Sequence, residues 1–293
     1  MVWRDGEGLI PVTGGNVWYK MIGAGRPGIP LVILHGGPGA PHDYLEPLGV
    51  LADERPVIFY DQLGCGNSDK PDDPSLWTVE RFVEELGDVL ATLKLQDVHL
   101  LGQSWGTTLA VEYMLRTKLN HVRSLVLSAP FLSATRWIGD QKAHLAHLPE
   151  SVQASVREAE GTGNYDSAAY QEAIGEFYKR HVCRLEPWPD ELNRTIEKIS
   201  VPVYLSMCGP SEFSVIGSLK DLELVDRLPE ITVPALFTCG RYDESTPETT
   251  TLYQQALPGS EMVVLEDASH EHHLEKPDEY LAVVRDFLKR QEL

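Results

Sequence analysis

VHLLGQSWGTTLAVEYM, at residues 98–114, is the stretch that decides the fold. It opens with an apolar run typical of a buried strand and closes with a pattern typical of a helix. Between them stands G-x-S-x-G, which predicts a sharp strand-to-helix turn that exposes the hydroxyl of Ser104. Gly102 and Gly106 let strand and helix approach closely. A serine that merely caps a helix is the alternative, but the paired glycines and the nearby helix N-terminus favour a nucleophile.

Apolar strands and amphipathic helices alternate along most of the chain. The predicted strands are 16–23, 31–36, 56–62, 98–104, 123–130, 235–240 and 261–267. The predicted helices between them are 80–94, 107–117, 246–256 and 277–290. This alternation indicates an α/β fold with a mostly parallel sheet. In such sheets, ligands bind beyond the carboxyl ends of the strands.

Residues 131–230 break the alternation, because they contain several helical patterns and few buried-strand runs. We interpret them as a helical cap inserted over the carboxyl edge of the sheet. The core of the domain then comprises residues 1–130 and 231–293. Packing of some of these helices on the flanks of the sheet is the alternative.

A serine hydroxyl needs a base to remove its proton, and the base needs an acid to orient it. Asp243 follows the predicted strand 235–240, and His270 follows the last predicted strand. Both are expected at the sheet edge where Ser104 emerges, in the order serine, acid, histidine. His272 and His273 compete for the role of the base, although His270 lies closest to the strand end.

The run HGGPG, at residues 35–39, supplies the other requirement of acyl transfer. The tetrahedral intermediate carries an oxyanion, which preorganised N–H donors stabilise. We expect one donor to be the backbone N–H of Trp105 and the other to be that of Gly36 or Gly37. Glycines expose backbone N–H groups with no side chain in the way.

Composition disfavours several other classes of function. The formal net charge of −19 argues against binding to nucleic acid or anionic membranes, because phosphates attract clustered lysines and arginines. No apolar run reaches the roughly 20 residues that span a bilayer. The four cysteines form no CxxC pair, which disfavours a zinc knuckle and a thioredoxin motif. We therefore expect a cytoplasmic protein with reduced thiols and no cofactor.

The run HEHH, at residues 270–273, suggests a metal site. It fails the spacing H-E-x-x-H, since Leu274 stands where the second histidine is required. We therefore expect no metal there. His144 and His147 share one face of a predicted helix and are expected to be surface or packing residues.

Five blocks of sequence together resemble the proline iminopeptidases, a serine-peptidase family of α/β hydrolases. The blocks are HGGPG (35–39), DQLGCGNS (61–68), GQSWGTTLA (102–110), GRYDESTP (240–247) and ASH (268–270). They occur in family order, and the similarity covers nearly the whole chain. Residues 207–228 also resemble the cap segment of the tricorn-interacting aminopeptidase of that family. The resemblance implies an α/β-hydrolase fold with a cap, and removal of an N-terminal residue, often proline, from short peptides.

The resemblance also implies a site for the free α-ammonium group of the substrate. By similarity, Glu212 and Glu244 bind this cation, and the carbonyl of Gly36 assists. A buried cation needs such paired carboxylates, because an unpaired buried charge is very unfavourable. Trp105 and aromatic residues of the predicted cap, such as Phe213 and Trp137, are expected to wall an apolar pocket for the first side chain.

Three other functions remain compatible with the sequence. An L-amino acid amidase would share both the triad and the ammonium site, whereas an esterase or lactonase would need only the triad. A non-catalytic small-molecule receptor on the same fold is the third, and retention of all three triad positions argues against it. The oligomeric state stays open.

Overall fold

The computed structural model describes residues 3–117 and 121–292 and contains an eight-stranded sheet. The strands are β1 (Gly6–Val12), β2 (Gly15–Ile22), β3 (Leu31–Leu34), β4 (Val57–Tyr60), β5 (Val98–Gln103), β6 (Val122–Ser128), β7 (Ala235–Gly240) and β8 (Glu261–Leu265). Their order across the sheet is β1-β2-β4-β3-β5-β6-β7-β8. Pairing is antiparallel from β1 through β2 to β4 and parallel from β4 to β8. This is the mostly parallel sheet that the sequence predicts.

Helices cover both faces of the sheet. They are α1 (Val79–Thr92), α2 (Trp105–Thr117), α3 (Ala134–Ala146), α4 (Glu150–Thr162), α5 (Ala168–His181), α6 (Asp190–Lys198), α7 (Val201–Met207), α8 (Pro247–Ala256), α9 (His272–Glu275) and α10 (Pro277–Arg290). Side chains alternate across a strand, so Val32 and Leu34 join the core formed with α1 and α2, while Leu31 and Ile33 join the core formed with α10. Burial on both faces explains the uninterrupted apolar runs of the central strands. None of the described helices is long and apolar enough to cross a membrane.

Strand β1 was not predicted from the sequence. It is an edge strand that pairs only with β2, and Ile10 is its one buried residue. Its sequence, GEGLIPV, contains two glycines and a proline, which edge strands tolerate. Several predicted strands also run too far at their carboxyl ends. Residues 35–36, 61–62 and 129–130 lie beyond β3, β4 and β6, in the loops at the carboxyl edge of the sheet.

Helices α3 to α7 and a short 3₁₀ segment at Val225–Glu230 occupy residues 131–230, here called the helical insertion. The two ends of the insertion lie side by side. The Ala134 N–H donates to the Leu222 carbonyl (2.9 Å), and the Leu224 N–H donates to the Leu132 carbonyl (3.0 Å). The chain thus leaves and re-enters the core at one place. Helix α7 was not predicted, and the division into core and cap at residues 131 and 230 stays a prediction.

The two glycines of the elbow are required by close packing. A Cβ on Gly106 would overlap the Leu34 carbonyl of β3, and one on Gly102 would overlap the backbone of Gly106. We expect Gly106→Ala to lower the free energy of unfolding by at least about 3 kcal/mol, because backbone must move to make room. Chemical denaturation measures this. Gly175→Ala is the matched control: its Cβ would have open space within α5, so the protein should be unchanged or stabilised by up to about 1 kcal/mol. Equal effects of both substitutions would contradict the close-packing argument.

Candidate active site

Ser104 stands at the junction of β5 and α2 with a φ of +54°. This left-handed conformation is uncommon and strained for a residue other than glycine. The Ser104 N–H donates to the Ser128 carbonyl (3.0 Å), and the Ser104 carbonyl accepts from the N–H (2.9 Å) and the hydroxyl (2.7 Å) of Thr107. The backbone is therefore fixed on both sides, while the residue lines a cavity. The chain thus contains the strand-to-helix elbow that the sequence predicts.

Asp243 lies in the loop after β7 and is completely buried. Its Oδ1 accepts from His270 Nδ1 (2.8 Å) and from the Ser245 N–H (3.0 Å), and its Oδ2 accepts from the Gly240 N–H (3.1 Å). Burial alone would raise the pKa of Asp243, but the charge and hydrogen bond of His270 outweigh it and hold the pKa well below its usual range. Asp243 is therefore an ionised acceptor that fixes one ring nitrogen of the histidine.

His270 follows β8 and lines the same cavity as Ser104. Its ring packs edge-on against Trp137, with 5.8 Å between centroids, and its Nε2 lies 3.9 Å from Glu244 Oε2. Burial would lower the pKa of His270, but Asp243, followed by Glu244, reverses the direction and raises it. Because Nδ1 contacts the carboxylate, Nε2 is the nitrogen left for proton transfer.

The two competing histidines do not line this cavity. His272 is buried, with Nε2 near the hydroxyls of Ser128 (2.9 Å) and Thr238 (3.0 Å). His273 donates from Nε2 to the Tyr44 carbonyl (3.0 Å), and burial lowers its pKa to about 3. Of the three histidines that the sequence offers, His270 alone combines the contact with Asp243 and access to the cavity.

The loop after β3 carries the candidate oxyanion donors. The Gly36 N–H already donates to Tyr44 Oη (2.7 Å), and the Gly36 carbonyl accepts from His35 Nδ1 (3.1 Å). The Gly37 N–H has no hydrogen-bond partner among the described residues. Trp105 opens α2, where the first amides reach no intrahelical carbonyl. Of the predicted donors, the Gly36 N–H is thus already engaged, which leaves those of Gly37 and Trp105 as candidates.

A cavity of about 190 Å³ is bounded by the loops at the sheet edge and by the helical insertion. The predicted site residues that line it are Gly37, Ser104, Trp137, Glu212, Glu244 and His270. Asp243, Gly36 and Trp105 lie directly behind this surface. Ser104, His270 and both acidic residues from the resemblance therefore line one cavity.

Trp105 does not line this cavity, and its Nε1 donates to Gln62 Oε1 (2.8 Å) instead. Phe213 does not line it either, which corrects the expectation for both residues. The Phe213 ring packs edge-on against Phe177, with 5.1 Å between centroids, in a small apolar core formed with α4 and α5. Ser211 and Glu212 line the cavity, whereas Phe213 points away from it and packs in the apolar core. Trp137 does line the cavity.

The cavity wall is strongly acidic. Glu212 accepts a hydrogen bond from Tyr204 Oη (2.5 Å), and Glu244 Oε1 has no hydrogen-bond partner within residues 3–117 and 121–292. Burial raises the pKa of both carboxyl groups, and Glu212 raises that of Glu244 further. No lysine or arginine is among the lining residues. Carboxylates that are withdrawn from water are unfavourable without a cation, so a positively charged ligand would be favoured here over a neutral one.

Sequence reasoning missed many of the lining residues, among them Glu271, Tyr178 and Tyr204. Glu271 follows His270, is 5% exposed, and has a pKa that burial raises to about 8. Its position directly after the base was the available signal. Tyr178 and Tyr204 come from the helical insertion, where nothing in the sequence distinguishes them from packing aromatics.

Comparisons with known proteins agree with this geometry. Residues 29–277 match the family model described as alpha/beta hydrolase fold. A proline iminopeptidase of Heyndrickxia coagulans is 47% identical over 96% of this chain and 98% of its own length. The chain belongs to the proline iminopeptidase family of α/β hydrolases. Another family member, from Lactobacillus acidophilus, is 38% identical over 96% of this chain and 97% of its own. The crystal structure of the Mycobacterium smegmatis proline iminopeptidase superposes with a TM-score of 0.89 at 35% identity, covering 98% of both chains.

Proposed function

We propose that this protein is a serine aminopeptidase that removes the N-terminal residue, proline or another small apolar residue, from short peptides or amides. One observation carries the proposal: Glu212 and Glu244 line the same cavity as Ser104 and His270, and Glu244 Oε1 has no hydrogen-bond partner in the described part of the chain. A serine nucleophile cleaves acyl bonds, and a cation site beside it restricts cleavage to substrates with a free α-ammonium group. The names of the relatives in the family support the same activity.

The reaction we propose has two halves. The Ser104 hydroxyl attacks the carbonyl of the first residue while His270 Nε2 takes its proton, and Asp243 stabilises the resulting imidazolium. The N–H groups of Gly37 and Trp105 stabilise the oxyanion. The tetrahedral intermediate then collapses, and His270 returns the proton to the departing amine. Water, activated by the same histidine, hydrolyses the acyl-enzyme and releases the amino acid.

The acidic wall defines the substrate in this proposal. Glu212 and Glu244 bind the α-ammonium group, and the remaining lone pair of the Gly36 carbonyl assists. Trp137 packs against the side chain of the first residue. A blocked or internal residue brings no cation, so it would leave the carboxylates buried without a partner. The four buried, free cysteines support a reducing compartment, and we propose a cytoplasmic location.

Hydrolysis of matched arylamides tests this function. We expect turnover of Pro-, Ala-, Leu- or Phe-arylamides and a loss of at least about 10²-fold in kcat/KM when the same compounds are N-acetylated, because the buried carboxylates lose their partner. Equal hydrolysis of blocked and free compounds would favour the esterase or lactonase and would reject the ammonium site. Prolinamide measured beside a proline-containing dipeptide separates an amidase from a peptidase.

The dependence on pH tests the pairing of Asp243 and His270. His270 must be neutral to accept a proton, so kcat/KM should rise with pH through its pKa, which lies above the usual value of 6.5. In Asp243→Asn the raising charge is absent and burial dominates, so this limb should move to lower pH. The maximum rate should fall about 10⁴-fold, because the imidazole loses its orientation. Glu248→Gln, an exposed charge removed a few residues away, is the control and should leave the profile in place. An unmoved limb in Asp243→Asn would contradict the pairing.

A further inference from the structure

Three side chains of the helical insertion bind three consecutive backbone carbonyls of the loop after β7. His181 Nδ1 donates to the Tyr242 carbonyl (2.9 Å) and His144 Nε2 to the Asp243 carbonyl (2.8 Å). Gln141 Nε2 donates to the Glu244 carbonyl (3.0 Å). These three side chains, here called the carbonyl clamp, come from α3 and α5, which are remote in sequence from the loop they hold.

The carbonyl clamp holds one side of the loop after β7, and the core holds the other side. The Tyr242 N–H donates to the Ala268 carbonyl (2.9 Å), and the Asp243 N–H donates to the Gly240 carbonyl (3.3 Å). The amide groups of the loop thus face the sheet, and its carbonyl groups face the insertion. Two adjacent side chains of this loop, Asp243 and Glu244, are assigned above to the triad and to the ammonium site.

The end of α5 also holds the loop after β8. The His181 carbonyl accepts the N–H of His270 (3.0 Å), and the Val182 carbonyl accepts the N–H of Glu271 (2.9 Å). His181 therefore contacts both loops, one through its ring and the other through its backbone. The end of α5 thus bridges the loop that carries Asp243 and the loop that carries His270.

The two clamp histidines are adapted to this use. Their rings stack with 3.8 Å between centroids and an interplanar angle of 27°. Burial lowers the pKa of His144 and lowers that of His181 to about 4, so both rings are neutral at pH 7. Because a carbonyl only accepts, each contact fixes the proton on the contacting nitrogen: Nε2 in His144 and Nδ1 in His181. Neutral rings can stack without mutual repulsion.

We propose that Gln141, His144 and His181 are positioning residues, which set Asp243 and Glu244 by holding the backbone of the loop that carries them. The proposal rests on the function proposed above. Groups that orient a catalytic side chain typically contribute about 10- to 100-fold in rate, since small displacements of reacting groups are costly. The histidines hold the acid of the triad, so their loss should act on kcat. Gln141 holds the residue assigned to the α-ammonium group, so its loss should act on KM.

The chain permits a test that separates hydrogen bonding from bulk. His144→Leu removes the donor, whereas His144→Gln keeps an N–H at the position of Nε2. In the same way, His181→Leu removes the donor at Nδ1, whereas His181→Asn keeps an N–H there. We expect each leucine variant to lower kcat for a Pro-arylamide by about 10- to 100-fold with KM within about threefold, and each amide variant to regain most of it. The acid limb of the kcat profile should move to lower pH in the leucine variants. His147→Leu is the matched control, since His147 is exposed at the C-cap of α3 and its ring, among the described residues, hydrogen-bonds the carbonyl of Ala143 alone.

Gln141→Leu supplies an independent arm if a histidine variant fails to fold. Gln141 is fully buried and its Oε1 has no partner, so leucine removes one hydrogen bond and leaves the loop carbonyl unpaired. We expect KM for the free arylamide to rise about 10-fold while kcat stays within about threefold. Wild-type kcat in a folded leucine variant of either histidine, no recovery in the amide variants, or unchanged KM in Gln141→Leu would overturn the clamp. Failure of the proposed function would look different: the wild-type protein itself would not prefer the free arylamide over its N-acetyl form.

Discussion

Ser104→Ala should abolish hydrolysis of a Pro-arylamide, with kcat falling by about 10⁴- to 10⁶-fold. The acyl-enzyme cannot form without the hydroxyl, and the remaining rate comes only from the oxyanion donors and substrate binding. The measurement is steady-state hydrolysis at high enzyme concentration, with the released arylamine followed over hours. Because the loss concerns the covalent step, substrate binding should persist, and a competitive product such as proline should bind as it does to the wild-type protein.

The fold gives a clear control for this substitution. Serine and alanine both carry a Cβ, so both bear the same strain at a φ of +54°, and the midpoint of thermal unfolding should be nearly unchanged. A fluorophosphonate probe should label the wild-type protein and not Ser104→Ala. Activity retained in folded Ser104→Ala would reject Ser104 as the nucleophile. Absence of labelling in the folded wild-type protein would favour the non-catalytic receptor instead.

The central sheet was predictable because its strands are buried on both faces. LVIL at residues 31–34 is an uninterrupted apolar run and ALFTCG at 235–240 is broken only by Thr238, and the structure has strands there. Strand β1 escaped detection because an edge strand with one buried residue carries no such signal. Strand ends were overestimated where the chain leaves the sheet, since residues 35–36 are as buried as the strand before them.

The site was predictable to the extent that each residue stands at the end of a strand. Ser104, Asp243 and His270 follow β5, β7 and β8, and the order of these strands in the sheet brings the three loops to one edge. The choice among three neighbouring histidines required geometry, because only the structure distinguishes a ring that lines the cavity from two packed behind it. The clamp was beyond sequence reasoning, since its hydrogen bonds join residues about 60 to 100 positions apart.

The position of Glu212 at the cavity could not be predicted from its local sequence. A glutamate in a turn of the helical insertion resembles a solvated residue, and only the family resemblance assigned it to the substrate. In the structure, Glu212 and Glu244 line one cavity, although Glu212 belongs to the helical insertion and Glu244 to the loop after β7. Their proximity raises the pKa of Glu244 beyond the effect of burial, because two nearby negative charges repel each other. The ionised forms are therefore unfavourable in the protein without a bound cation. Functional sites are the usual places where residues depart from the rules that otherwise relate local sequence to structure.

Replacement of both carboxyl groups should therefore change activity and stability in opposite directions. In Glu212→Gln/Glu244→Gln the α-ammonium group loses its partners, so kcat/KM for a Pro-arylamide should fall by about 10²- to 10³-fold, while the already slow N-acetyl compound should change little. Tyr204 Oη can still donate to the amide oxygen at position 212. The pKa of both carboxyl groups is raised by folding, so their ionisation favours the unfolded chain as pH rises above about 4.5. The midpoint of thermal unfolding should thus be higher in the variant at pH 7, and the gain should shrink towards pH 4.

The third carboxyl group of the cavity provides the matched control. Glu271 is as buried as Glu244 and also has a raised pKa, but the substrate assignment does not include it. Glu271→Gln should therefore stabilise the protein as the other substitutions do, yet leave the preference for the free over the N-acetylated arylamide intact. Steady-state hydrolysis measures the preference for the free arylamide, and thermal unfolding across pH measures the stability. If the double variant kept the preference, or if Glu271→Gln alone removed it, Glu212 and Glu244 would not be the residues that bind the amino terminus of the substrate. Loss of preference together with gain of stability would instead identify them as carboxylates held without a partner until the substrate supplies one.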